Sequence, residues 1–126
     1  MNRAKTQSAR YVLIAAVAVW LVIPAAPQGG YTESGIASWY GYPYHGRFAA
    51  SGELYDMEEL TAAHPTLPFG TRLRVTDVAS GRSVTVRVND RGPYVQGRVV
   101  DVSYSAADAL GMVGKGVAKV KLDVVQ

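Results

Sequence analysis

Residues 71–93 read TRLRVTDVASGRSVTVRVNDRGP, and this stretch predicts the fold more clearly than any other part of the sequence. In residues 71–77 two apolar side chains alternate with arginine and threonine, and in residues 83–89 three valines alternate with polar residues. Such alternation is typical of a strand that buries one face. The short segment between the two runs contains Gly81, as a turn favours. The stretch therefore predicts a β-hairpin.

Other segments carry strand patterns, and none has the pattern of a long amphipathic helix. Two short helices are expected. Ser105 and Asp108 resemble a capping box with Asp in place of Glu, and Gly111 can end the helix that it starts. Residues 58–64 suit one or two helical turns before Pro65 stops them. Many short strands, 13 glycines and 6 prolines favour a small, mainly β barrel or sandwich. The further strands are predicted at residues 35–40, 99–103 and 117–125.

The net positive charge of the chain is confined to its first residues. Arg3, Lys5 and Arg10, with no acid beside them, give residues 1–30 a charge of +3, which equals the net charge of the whole chain. Residues 31–126 then hold ten basic side chains (13 minus 3) and ten acidic ones, which cancel. A neutral domain lacks the basic surface of polyanion-binding proteins, so nucleic acid is not an expected partner.

Residues 1–30 have the arrangement of a bacterial export signal: a basic stretch, an apolar run at residues 11–23 and an exit of small residues. The run is shorter than the roughly 20 residues of a membrane span. An uncleaved anchor stays open as an alternative because Pro27 would hinder cleavage, and a buried helix is a third alternative. We therefore expect residues 31–126 to work in the periplasm or cell envelope, after a linker at residues 29–34. Membrane contact is expected only through an uncleaved N-terminal segment.

The absence of cysteine excludes disulfide scaffolds, thiolate zinc sites, thiol nucleophiles and lipid attachment through cysteine. The two histidines lack the spacing of metal ligands, and there is neither a GxSxG nucleophile elbow nor a phosphate-binding glycine loop. No metal or cofactor is therefore expected. The remaining chemistry is acid–base catalysis by carboxylates on a neutral substrate, which suits cleavage of a glycosidic bond.

Three polar clusters interrupt the β pattern and contain the candidate site residues. Asp90 stands between a strand and a rigid Gly-Pro turn, which suits projection into a cleft, with an Asx-turn that only shapes the loop as the alternative. Glu53 lies among small loop residues, where a solvated surface carboxylate is the alternative. His64 precedes a proline, and a core histidine is the alternative. Aromatic residues suited to stacking on sugars are Trp39, Tyr40, Tyr42, Tyr44 and Tyr94.

These clusters, in this order, resemble the RlpA-like family of double-psi β-barrel proteins, which are exported septal-ring lytic transglycosylases. The resemblance spans nearly all of residues 35–125. The matching stretches are GIASWYG (35–41), HGRFAASGELYDM (45–57), LTAAHPTLPFGTRLRV (60–75), SGRSVTVRVNDRGPY (80–94) and GRVVDVSYSAADALGM (97–112).

The resemblance implies a six-stranded double-psi β-barrel with short helices. It also implies non-hydrolytic cleavage of the MurNAc–GlcNAc bond of peptidoglycan, in which the C6 hydroxyl of the sugar attacks the anomeric carbon and leaves a 1,6-anhydroMurNAc end. One acid–base residue of the protein is then enough. The family's functional positions fall on Asp90 as the acid–base residue and on Glu53 and His64, which would polarise the site and position the sugar. The expected substrate-binding residues are Trp39, Tyr40 and Tyr94.

Asp101 is a rival for the catalytic role, because related barrel families carry a functional aspartate near such a strand. The alternative is a structural ion pair with Arg91 or Arg98, and Arg91 is a possible supporting residue of the site. We expect the domain to act as a monomer on peptidoglycan glycan strands. Some barrels of this type bind wall polysaccharide without cutting it, so the alternative function is a non-catalytic, expansin-like wall-binding or wall-loosening module.

Overall fold

The computed structural model describes residues 30–125, so the predicted basic and apolar parts of the export signal lie outside the described residues. Six strands, one α-helix and one 3-10 helix make up this part of the chain, and neither helix in it is long and apolar enough to cross a membrane. The elements are β1 (Thr32–Tyr40), the 3-10 helix (Tyr42–Tyr44), β2 (Thr61–Ala63), β3 (Arg72–Asp77), β4 (Ser83–Asp90), β5 (Arg98–Ser103), α1 (Tyr104–Leu110) and β6 (Val117–Val124).

The six strands close into a barrel in the order β1-β5-β2-β4-β3-β6. β3 and β4 form the predicted antiparallel hairpin, in which Leu73 lies opposite Val86 and Val75 lies opposite Val84. β1 runs parallel to β5 and β2 runs parallel to β4, whereas the other neighbouring pairs are antiparallel. This closed barrel with two parallel pairs is a double-psi β-barrel, which confirms the predicted fold class.

Alternation along the strands fills the barrel with apolar side chains. In β6, Ala118, Val120, Leu122 and Val124 are buried and the residues between them are exposed or half-buried. β3 follows the same rule, and Leu73 has no exposed surface. Burying one such leucine contributes about 1.5–3 kcal/mol. The predicted strands over residues 35–40, 99–103 and 117–125 are confirmed as β1, β5 and β6.

Two expectations about the chain before the hairpin are wrong. Thr61–Ala63 form strand β2 within the segment expected to be helical, because their backbone pairs with β4 on one side and β5 on the other. All three side chains are buried, so closure of the barrel outweighs the local helical pattern. The linker expected at residues 29–34 is shorter, because Thr32, Glu33 and Ser34 already pair with β6.

Helix α1 begins one residue after its cap, Ser103, whose Oγ accepts a hydrogen bond from Ala106 N at 3.3 Å. The same hydroxyl donates to Glu59 O at 2.6 Å and so ties the start of the helix to the chain before β2. The capping box expected at Ser105 is wrong by two residues, since Ser105 already lies inside the helix. Gly111 ends the helix as expected, with a left-handed φ of 73°.

We expect Ser103→Ala to lower the free energy of unfolding by about 1–3 kcal/mol, because it removes the cap and leaves buried polar groups without a partner. Ser103 has no exposed surface, so water does not replace the lost contacts. Ser105→Ala is the matched control and should change stability by less than about 0.5 kcal/mol, since alanine suits a helix interior. Urea denaturation of both variants measures the difference, and an equal loss at the two positions would contradict this cap.

Candidate active site

An open groove with a volume of about 730 Å³ crosses the barrel wall, where the last residues of β1, β2 and β4 and Asp101 of β5 line it. Its wall combines aromatic rings with two carboxylates and two guanidinium groups. Such a mixture of stacking surfaces and few convergent polar groups is typical of a ligand site. The lining residues are Trp39, Tyr40, Gly41, Tyr42, Pro43, Tyr44, Arg47, Phe48, Tyr55, Ala63, Asp90, Arg91 and Asp101.

The two carboxylates of the groove stand on either side of one small residue. Ala63, at the end of β2, lies opposite Asp90 on the parallel strand β4 and opposite Asp101 on the antiparallel strand β5. Neighbouring strands are about 4.8 Å apart, so the backbones of the two aspartates are separated by about 10 Å. The methyl group of Ala63 leaves the space between them open, which permits a ligand to reach both carboxylates.

A β-bulge sets the direction of Asp90. Ala62 pairs with Val88, but Ala63 pairs with Asp90, so Asn89 is an extra residue in β4. Bulges re-aim the side chain that follows and are common beside active sites. Asn89 O accepts a hydrogen bond from Ser51 N at 3.2 Å, which holds the bulge against the loop before β2. The regular pairing of β4 with β2 is therefore interrupted directly before Asp90, the candidate catalytic residue.

Asp90 is fixed through one of its two carboxylate oxygens. Oδ1 accepts hydrogen bonds from Ala50 N and from Arg91 N, both at 2.8 Å, and the backbone carbonyl of Asp90 accepts one from His64 N at 3.1 Å. No group within residues 30–125 donates to Oδ2. The carboxylate is thus held in part by a distant residue and keeps one oxygen for a ligand. An Asx-turn that only shapes the loop would not need the distant contact.

Tyr40 forms part of the groove wall beside Asp90. Its ring packs on that of Tyr55 at a centroid distance of 4.5 Å, and Tyr55 Oη donates to Tyr40 O at 2.5 Å. Burial, reinforced by the negative charge of Asp90, raises the pKa of Tyr40, so the phenol keeps its proton. Trp39 also lines the groove, as expected of a substrate-binding residue, whereas Tyr94 is 78% exposed and lies outside the lining.

His64 lies in the core and does not line the groove, with only 2% of its surface exposed. Its Nδ1 accepts hydrogen bonds from Thr66 N and Leu67 N, both at 3.1 Å. Because Nδ1 acts as an acceptor, the ring proton of the neutral form is on Nε2, which donates to Glu33 Oε1 at 3.0 Å. The imidazole therefore holds the loop after β2 in place, directly behind the backbone of Asp90.

Glu53 also lies outside the groove lining, on the loop that carries Ala50. Its carboxylate accepts two hydrogen bonds from Arg87 Nη1, at 2.6 and 3.0 Å, and its side chain is 44% exposed. The hydrogen bond from Arg87 is the main reason why the pKa of Glu53 is lowered. The ion pair joins this loop to β4, the strand that ends in Asp90. The same loop donates the Ala50 N–H to the Asp90 carboxylate.

Asp101 lines the groove and also forms the ion pair that the sequence left open. Its Oδ1 accepts a hydrogen bond from Ser38 Oγ and lies 3.9 Å from Arg98 Nη1, which in turn donates to Ser38 Oγ at 2.8 Å. The ion-pair partner is therefore Arg98 rather than Arg91. Asp101 nevertheless lines the groove opposite Asp90, so the pairing orients this carboxylate without withdrawing it from a ligand.

Arg91 lines the groove with a fixed guanidinium group. Nη1 donates to Leu67 O at 2.8 Å and to His64 O at 3.1 Å, and the group lies 4.1 Å from the centroid of the Phe69 ring. The loop organised by His64 is thus the support on which Arg91 rests. Arg47, Phe48 and Tyr55 line the groove too, although no sequence pattern separates them from ordinary loop residues. Among the described residues, no three His, Asp or Glu side chains lie close enough to hold a metal ion.

The amino-acid sequence of this chain is similar to those of known proteins. A family model described as lytic transglycolase matches residues 32–122. A probable endolytic peptidoglycan transglycosylase RlpA of Synechocystis is 56% identical over 94 residues, covering 75% of this chain and 29% of that protein. The endolytic peptidoglycan transglycosylase RlpA of Vibrio cholerae is 51% identical over 96 residues, covering 76% of this chain and 36% of that protein. The chain spans about a third of the length of these curated relatives.

Solved structures contain the same barrel. The Streptomyces papain inhibitor has a TM-score of 0.66 and 22% identity, covering 81% of this chain and 100% of that one. An expansin of Clavibacter michiganensis has a TM-score of 0.60 and 24% identity, covering 76% of this chain and 51% of that one, and a mutant of it was solved in complex with cellohexaose. Identities this low show the fold alone. The family model and the identity of about one half to RlpA proteins show more: the chain belongs to the RlpA-like, lytic transglycolase family.

Proposed function

We propose that this chain is an exported endolytic peptidoglycan transglycosylase, which cleaves the MurNAc–GlcNAc bond and leaves 1,6-anhydroMurNAc ends. The observation that carries the proposal is Asp90, a carboxylate held by one oxygen in an aromatic groove. Membership of the lytic transglycolase family, with relatives named as endolytic peptidoglycan transglycosylases, supports the reaction class. A cell-wall substrate implies that the protein works in the periplasm or cell envelope, and we propose that it acts there as a monomer.

The reaction needs one acid–base group, which we assign to Asp90. As the bond between the anomeric carbon of MurNAc and O4 of GlcNAc breaks, Asp90 gives its proton to O4. The resulting carboxylate then takes the proton of the MurNAc C6 hydroxyl, whose oxygen bonds to the anomeric carbon. No water is consumed, and Asp90 ends protonated as it began. Oδ2, which has no donor within the described residues, is the oxygen that exchanges the proton.

Asp101 is the second carboxylate that acts on the bound sugar in this proposal. It faces Asp90 across Ala63, and the transition state of glycosidic cleavage carries positive charge near the anomeric carbon. A carboxylate oriented by Ser38 and Arg98 stabilises that charge from the opposite side of the groove. Asp101 therefore assists the reaction that Asp90 carries out and does not replace it.

Glu53 and His64 act as positioning residues, because each reaches Asp90 through the main chain. His64 N donates to the Asp90 carbonyl, and the imidazole fixes the loop that follows. Glu53 joins its own loop to Arg87 on β4, and the same loop supplies the Ala50 N–H to the Asp90 carboxylate. This differs from direct contact with the sugar, since neither side chain lines the groove.

Aromatic side chains at the mouth of the groove provide the surface for sugar rings. Tyr42 is 79% exposed and Phe48 is 78% exposed, and both line the groove with Trp39. Exposed rings of this kind stack on the apolar faces of sugars. The same surface would serve a module that binds wall glycan without cutting it. That second function shares the binding residues and differs only in producing no new chain ends.

The products of digestion separate these two functions. We expect the purified protein, incubated with peptidoglycan sacculi, to release fragments with 1,6-anhydroMurNAc ends, which are lighter by one water than hydrolytic products. Mass spectrometry of the soluble fragments measures this difference. Fragments with reducing MurNAc ends would instead indicate hydrolysis, and binding of folded protein without any release would favour the non-catalytic module.

Asp90→Asn should abolish release of anhydro fragments and leave the fold intact. The amide keeps Oδ1 as an acceptor for Ala50 N and Arg91 N, but it has no proton to give to a leaving oxygen. The melting temperature should therefore stay within a few degrees of the unmodified protein. Asp108→Asn, an equal charge change at an exposed residue of α1, is the control and should keep full activity. Retained activity in Asp90→Asn would overturn the assignment.

Glu53→Gln should destabilise the protein at neutral pH and not in acid. The pKa of Glu53 is lowered in the folded state, so its pairing with Arg87 adds stability above the unfolded-state pKa of roughly 4.3 and loses it as the pH falls through the folded-state value. Because the pair is solvent-exposed, we expect a loss of at most about 1 kcal/mol at pH 7. Urea denaturation at neutral and acidic pH measures it, with the exposed Glu58→Gln as control. A difference that is the same at both pH values would contradict the pairing.

A further inference from the structure

Four charged side chains line the groove, and they are not compensated equally. Asp101 forms an ion pair with Arg98, whose Nη1 lies 3.9 Å from its Oδ1. Arg47 and Arg91 have no such partner: within residues 30–125 neither lies within 4.0 Å of a carboxylate. Asp90, the other carboxylate of the lining, opposes the two guanidinium groups only when it has released its proton. The groove as a whole presents an excess of positive charge to its ligand.

The guanidinium group of Arg91 is preorganised to bind an anion. Its Nη1 is held by the carbonyl oxygens of Leu67 and His64, and the Phe69 ring lies against its face. No acceptor within the described residues engages Nη2 or Nε. These donors form one edge of the planar fork that matches a carboxylate. Holding the other edge in place lowers the entropy lost when a ligand binds.

Arg47 supplies the second cation from the aromatic side of the groove. The residue is exposed, and its guanidinium carbon lies 6.0 Å from the centroid of the Tyr44 ring. Within residues 30–125 its side chain donates no hydrogen bond and pairs with no carboxylate, while its backbone hydrogen-bonds with Tyr44 and Tyr55. Apart from the Tyr44 ring, the guanidinium group has no partner in this part of the chain, so its donors are available to a ligand in the groove.

We propose that Arg47 and Arg91 bind a carboxylate carried by the glycan, and that this contact determines which glycans occupy the groove. The inference deepens the proposed function and rests on it. A neutral polysaccharide offers these two side chains hydroxyl oxygens but no charge to pair with. Muramic acid carries a lactyl ether, whose carboxylate is free in a strand without peptides. When the lactyl group is amide-linked to a stem peptide, the carboxylates of the peptide remain. The shared chemistry is a carboxylate close to the sugar ring.

The test compares the binding of three glycan preparations to the full chain in an Asp90→Asn background, so that strands are not consumed. The preparations are peptide-bearing strands, strands freed of peptides by an amidase, and amidase-treated strands whose carboxylates have been converted to neutral methylamides. We expect neutralisation to weaken binding about tenfold, the size of one charge-assisted contact. Added salt should reduce the difference in affinity between charged and neutralised strands. Tighter binding of peptide-free strands identifies the lactyl carboxylate, and tighter binding of peptide-bearing strands identifies the peptide.

Arg47→Gln is the deciding variant, because its side chain makes no hydrogen bond in the described part of the chain and its loss should not disturb the fold. It should bind carboxylate-bearing strands at least threefold more weakly and neutralised strands unchanged. Arg74→Gln, at an exposed position of β3 away from the groove, is the matched control and should bind like the parent. Equal binding of charged and neutralised strands by the parent, or undiminished discrimination in Arg47→Gln, overturns the proposal. Because binding is read without turnover, this result is independent of whether anhydro ends form.

Discussion

Strand β2 has three residues, and both the closure of the barrel and the form of the groove depend on its backbone pairing. It pairs with β4 on one side and with β5 on the other, in a parallel and an antiparallel register. The last residue of β2, Ala63, thereby sets the distance between Asp90 and Asp101. A larger side chain at this position would fill the space between the carboxylates. The same pairing that completes the fold therefore also creates the room for a substrate.

Just past the end of this strand, a partly buried hydrogen-bonded chain holds the following loop in place. Glu33 Oε1 accepts hydrogen bonds from Tyr31 Oη at 2.8 Å and from His64 Nε2 at 3.0 Å. Burial, together with the hydrogen bond to Glu33 and its charge, raises the pKa of Tyr31 to about 12, so the phenol remains a donor. Satisfied polar networks of this kind specify one arrangement of the surrounding backbone. Here that backbone carries Asp90, which explains how a residue outside the groove contributes to it.

The sequence predicted the hairpin and the strands with regular alternation, because alternation follows from which face of a strand is buried. It did not predict β2, whose pairing involves strands far away in the chain. The strand-end position pointed to Asp90 and the family resemblance pointed to Asp101, and both side chains line the groove. The sequence grouped Glu53 and His64 with them, yet motif order carries no information on side-chain direction. Arg47 had no signal at all, because an exposed loop arginine is common.

The positions of the charges in the domain determine which ligand it binds more than its net charge does. Residues 31–126 contain ten basic and ten acidic side chains, which alone would suggest an uncharged ligand. Several of these charges are neutralised locally, as in the pairs of Arg87 with Glu53 and Arg98 with Asp101. Those pairs fix loops and orient a carboxylate, and so contribute little to the field outside the protein. The field in the groove is set by the charges left without a partner, and a domain of zero net charge can therefore still select an anion.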